Sequence, residues 1–126
     1  MMSNLEEHLL NSDSGRLLRA TYEENNYAAV NGTRPSGNPD SLTCSFDLEL
    51  MQQYLDYVRN EAQEREISNV KITVCFAQYP DYDFDSRLNP AYKGYQTVLL
   101  RAESSDNDNP IDGISELNFG NLHPPY

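Results

Sequence analysis

Tryptophan is absent from this chain of 126 residues, and histidine and cysteine occur twice each. Each shortage closes a route. Cys44 and Cys75 lie far apart, with no Cys-x-x-Cys and no metal-type spacing, which excludes a zinc finger and a disulfide framework. Two small buried hydrophobes in a reducing, cytoplasmic compartment are the simplest reading of them. His8 and His123 fall near opposite ends, and no Gly-x-Ser-x-Gly occurs, so no nucleophile stands beside a base in the sequence. Only six glycines are present, and none forms a GxGxxG or GxxxxGK[ST] loop to cradle phosphate. Apolar runs are short: the longest, Val70 to Ala77, is broken by Lys71 and cannot span a bilayer. Met1-Met2-Ser3-Asn4-Leu5-Glu6-Glu7 has neither a basic nor an apolar leader segment, so no secretory signal is expected. Bases are scarce too. Nine Lys and Arg face twenty Asp and Glu, a formal charge of −11 that repels phosphate backbones and anionic lipid. Nucleic acid and membrane are therefore not expected as partners, and no cofactor, metal ligand or catalytic residue is expected.

The residues that are present suit one α+β domain over positions 1–126. Nine Tyr and four Phe supply large burial units to a chain of otherwise low mean hydropathy, −0.71. Ser3-Asn4-Leu5-Glu6 fits a capping box, with Leu5, Leu9 and Leu10 on one stripe. A second helical stretch carries Leu17, Leu18, Thr21 and Tyr22, capped at Asp13 or Ser14 and fading at Asn25-Asn26. The turn-rich segment 31–41 reads as a mobile loop.

Leu42, Cys44 and Phe46 alternate as a short strand expected beside the central pair. Asp47 is a good N-cap for the main helix, expected over 48–66, with Phe46 and Met51 as a hydrophobic staple. Met51, Tyr54, Leu55, Val58 and Ala62 form its buried stripe, while Gln52, Gln53, Asp56, Arg59, Asn60, Gln63 and Glu64 face water. Alternating β-branched residues predict strands over 70–79 and 95–102, antiparallel and joined by a long connection over 80–94. The expected architecture is a small antiparallel or mixed sheet covered by one long amphipathic helix, with the N-terminal helical segment and the apolar tail closing the rest.

Two acidic loops invite a calcium reading and fail it. An EF-hand started at Asp81 puts Ser86 and Tyr92 where Gly and Glu are needed, and one started at Asp108 puts Pro110 and Phe119 at ligand positions. The 80–94 connection is the preferred contact surface. It is far longer than a hairpin needs, and it gathers Tyr79, Asp81, Tyr82, Asp83, Phe84, Asp85 and Tyr92 as aromatic anchors among acids for a protein partner. The competing view is an ordered loop whose aromatics pack on its own base. The expected function is accordingly a non-enzymatic cytoplasmic binding module. The alternative is a small hydrolase or metal-dependent enzyme using the loop carboxylates.

Ser45-Phe46-Asp47-Leu48-Glu49, Tyr54-Leu55-Asp56-Tyr57-Val58, the run Val70 to Pro80 and Gly94 to Leu100 form a recognisable succession. It resembles a group of small uncharacterised bacterial proteins with an SFDLE-type helix start and a strand ending in Tyr-Pro. The likeness covers residues 45–100, with Asn118-Phe119-Gly120 and Pro124-Pro125 near the end. In that group a Cys often precedes Pro-Pro, where this chain has His123. The resemblance implies a shared fold and carries no activity.

Overall fold

A computed structural model describes residues 5–35 and 37–125, an α+β arrangement whose chain divides into two compact units, Met1–Asp40 and Ser41–Tyr126. In the first unit a 3-10 turn at Leu5–His8 precedes helix α1, Ser12–Tyr22. Ser3 and Asn4, the start of the expected capping box, lie outside the described residues. The cap of α1 is Asn11, whose side chain accepts the Ser14 amide at 2.8 Å. It stands one turn ahead of the Ser14 amide, where a side-chain oxygen satisfies an otherwise unpaired N–H, so the expected caps Asp13 and Ser14 fall inside the helix.

The helix does not fade at Asn25-Asn26. It passes through a π-helical turn at Glu23–Tyr27 into α2, Ala28–Asn31. Tyr22 and Tyr27 have ring centroids 5.9 Å apart across this turn, and Asn25 donates back to the Thr21 carbonyl at 2.9 Å. These contacts hold a polar stretch that propensity alone would release. The far end of the expected 31–41 loop is hydrogen-bonded back to the helical segment. The Asp40 amide donates to Asn31 Oδ1 at 2.7 Å, the Tyr27 hydroxyl donates to the Asp40 carbonyl at 2.9 Å, and Asp40 and Ser41 are buried.

In the second unit β1 spans Thr43–Ser45, α3 Leu48–Glu64, β2 Val70–Gln78, β3 Gln96–Ser104 and β4 Asn121–His123, with a 3-10 turn at Pro90–Tyr92. Asp47 is the N-cap of α3, but by backbone position only, since its side chain makes no capping hydrogen bond. The α3 stripe falls as its 3.6-residue period requires: Tyr54, Val58 and Ala62 are buried and Met51 and Leu55 half-buried, while every residue expected to face water is exposed. β2 and β3 pair antiparallel from Val70↔Ser104 to Gln78↔Gln96. β1 does not join them. It pairs with β4 through Cys44↔Leu122, because the tail returns to it and leaves β1 in its own two-stranded sheet.

Two cores result. Tyr54, Val58, Leu100, Ala102 and Ile114 pack where α3 crosses the sheet, and the Tyr54 hydroxyl donates to the carbonyls of Leu100 at 3.1 Å and Ser115 at 2.8 Å. Tyr79, Tyr92, Tyr95 and Leu122 form the second core at the other end of the strands. The tail docks as a partial third strand: Leu117 and Leu100 exchange both backbone hydrogen bonds at 2.9 Å, and Ile111 donates to Ala102 at 3.1 Å.

Candidate functional site

The 80–94 connection folds onto its own base. Tyr79 donates its amide to Tyr95 and accepts from Gly94, both at 3.0 Å, so the loop closes at its neck. The rings of Tyr79 and Phe84 meet edge-on at 6.0 Å, and Tyr79 and Tyr92 are 7 % and 6 % exposed. As exposed anchors Tyr79 and Tyr92 are therefore corrected: their rings are the second core. Phe84 is half-buried beneath Lys93, whose Nζ lies 5.5 Å from its ring centre. Asp85 is held by Arg87 at 2.8 Å, which draws its carboxyl down to about 2 from 3.8. Of the seven expected contact residues only Asp81, Tyr82 and Asp83 are exposed, with Asp83 in the left-handed region at φ 52°. Asp108 of the other acidic loop is spent on an ion pair with Lys71. Among the described residues, no three His, Cys, Asp or Glu side chains converge to hold a metal ion.

A polar cluster lies beneath the second core. The Tyr79 hydroxyl donates to Asn118 Oδ1 at 2.7 Å, and Asn118 Nδ2 donates to the Val98 carbonyl at 2.8 Å. Cys44 completes it beside Thr97. Burial pushes its thiol up, while hydrogen bonds from Thr97 and the Val98 backbone pull weakly the other way. A thiol so raised is protonated near neutrality and is a poor nucleophile. His123 cannot serve it, because Leu122, not His123, stands opposite Cys44, and neighbouring residues of β4 face opposite sides. The cluster saturates buried polar groups and holds the tail to β3.

The uncommitted surface is the outer edge of β2. Because Tyr79 bonds to Tyr95, the odd-numbered residues of β2 face β3 along the ladder, and the even-numbered backbone groups from Val70 to Gln78 turn outward. Among the described residues β2 pairs with β3 alone. The side chains of Val70, Ile72, Val74 and Phe76 all stand on the α3 side of the sheet, but α3 covers only the first half of the row. Val70 and Ile72 pack into the core, Val74 is 54 % exposed and Phe76 is 92 % exposed. Beside the covered half runs an apolar groove of about 510 Å³ lined by Leu55, Val58, Ala62, Ile67, Val70 and Ile72. Arg59, Gln63 and Ser68 complete its lining, and the one strand that walls it is β2.

Sequence reasoning missed this surface. The signal was Phe76 in line with Val70, Ile72 and Val74, but the pattern does not say where along a strand the covering helix stops. Comparison with known proteins finds no match for this chain: no family model fits it, no curated protein is similar to it, and no solved structure matches it.

Proposed function

We propose that this chain is a non-enzymatic interaction module of the cytoplasm, and that its contact surface for a protein partner is the open β2 edge with the groove beside it. The observation that carries the reading is Phe76, 92 % exposed on a strand whose even-numbered backbone groups have no strand to bond among the described residues. Edge strands are ordinarily blunted by Pro, bulges, charge or a covering element, and β2 has only Lys71 in its nine residues. An added strand would cover Phe76, worth roughly 1.5–3 kcal/mol for a side chain of this size, and would add backbone hydrogen bonds of about 1 kcal/mol each. Both cysteines are free, which fits a reducing compartment. The loop tip at Asp81-Tyr82-Asp83 remains a lesser candidate, since Tyr82 is 77 % exposed.

Selection of displayed random nine-residue peptides on the sparsely immobilised full chain tests the proposal. Enriched peptides should alternate apolar and polar residues, lose at least tenfold in affinity on Phe76→Lys, and be indifferent to Tyr82→Ala. Enrichment of nothing, or binding that survives Phe76→Lys, overturns it.

A further inference from the structure

We propose that the occupant of this edge is a second copy of the same strand, paired antiparallel about Val74. The inference rests on the reading of the β2 edge as the contact surface and adds who fills it. Pairing even-numbered residues with even-numbered residues is required, because only those turn their N–H and C=O groups outward. With Val74 opposite Val74, all five outward residues find partners: Val70 faces Gln78 and Ile72 faces Phe76.

That register is self-complementary in shape. Directly opposite residues of an antiparallel pair share a face of the sheet. Phe76 of each copy would therefore stand on the α3 side against Ile72 of the other, at the mouth of the groove that Ile72 and Val70 wall. The exposed ring and the open groove lie two pleats either side of the same point, so one two-fold axis brings each ring to the other copy's groove.

Charge selects the same segment. Two copies carrying −11 each repel at most surfaces, but β2 contains no acid and one base. In the Val74 register Lys71 stands opposite Ala77. The two lysines are six residues apart along the ribbon, roughly 20 Å at strand spacing, well beyond a Debye length of about 8 Å. Each is already neutralised by its own Asp108 and Glu103. No like charges meet across the seam.

Sedimentation equilibrium on the full chain over a wide concentration range reads the outcome. The expected result is a species of twice the 14.4 kDa monomer mass, with dissociation raised at least tenfold by Phe76→Lys. That substitution should not disturb the fold, since the side chain is already in water. In a Cys44→Ser, Cys75→Ser background, Val74→Cys should also give a disulfide-linked dimer on mild oxidation. Cα atoms about 5.5 Å apart in a hydrogen-bonded pair lie within bridging range. Tyr82→Cys in the same background should give none. A wild-type chain monomeric throughout, a dimer that Phe76→Lys leaves intact, or a dimer that Val74→Cys does not cross-link each overturns the self-pairing. A monomer that still selects peptides through Phe76 overturns self-pairing alone, and one that selects none overturns the contact surface as well.

Discussion

Tyr79 stacks on Tyr92 with ring centroids 6.0 Å apart and planes 10° from parallel. The two residues bracket the long connection, so their stack ties its end to its beginning, and the Tyr92 hydroxyl also accepts the buried Leu122 amide at 3.2 Å. Tyr92→Ala should cost about 3 kcal/mol or more of folding stability, the range for emptying a buried aromatic site. Tyr92→Phe should cost about 1–2 kcal/mol by leaving the Leu122 amide unpaired. Urea unfolding separates the two: equal losses would mean that the ring contributes nothing, and a Tyr92→Phe variant as stable as the wild type would mean the same of the hydroxyl.

The Tyr54 hydroxyl joins α3 to both β3 and the tail through the Leu100 and Ser115 carbonyls. Tyr54→Phe should destabilise by about 1–2 kcal/mol while leaving the helix content unchanged. Burial pushes the Tyr54 phenol above its ordinary 10. The fold thus favours the neutral form, a contribution present below pH 10 and lost as pH rises through the folded value. Thermal melts from pH 8 upward should fall less steeply in Tyr54→Phe than in the wild type.

Gly120 lies where β4 begins, and a Cβ there would stand 2.5 Å from Cys44 Sγ and 2.9 Å from Cζ of Phe46. Both neighbours are short or ring-bound and have little room to retreat. Gly120→Ala should cost roughly 1–3 kcal/mol by overpacking. Pairing it with Cys44→Ala should recover part of that loss, and no recovery would show that the clash lies elsewhere.

Acid should weaken the fold in a defined window. Hydrogen bonds from Thr73, then Arg101, hold the Glu103 carboxyl below its ordinary 4.5, and Arg87 holds Asp85 at about 2 rather than 3.8. Depressed folded values favour the charged forms. Their contribution is complete above pH 4.5 and drains away as pH falls through the lowered values toward 2. Melting temperature should drop across that interval, and Glu103→Gln should lower it at neutral pH while flattening the upper part of the fall. The exposed Asp85 share should shrink in high salt.

Local pattern carried the long elements. The Met51–Ala62 stripe and the alternation through Val70 and Val98 are set by side-chain period, which is written along the chain, and α3, β2 and β3 fall accordingly. What pattern lacks is partner choice. β1 alternates as well beside β2 as beside β4, and only the returning tail decides. Tyr79 and Tyr92 look like surface aromatics because their neighbours are acids, yet the loop closes at Gly94 and brings their faces together. The β2 edge was hidden for a similar reason: Val74 and Phe76 match the period that buries Val70 and Ile72, and only the crossing of α3 separates them.

The pairing of Thr43–Ser45 with Asn121–His123 has a kinetic meaning. Its residues are about 80 positions apart in sequence, whereas β2 and β3 are joined by one connection. Closing the longer loop costs more chain entropy before any contact repays it. The second unit should therefore assemble from its middle outward, with α3, β2 and β3 ordered first and the Leu122 seal made last. Mutations at Cys44 or Leu122 should then speed unfolding and leave the folding rate nearly unchanged.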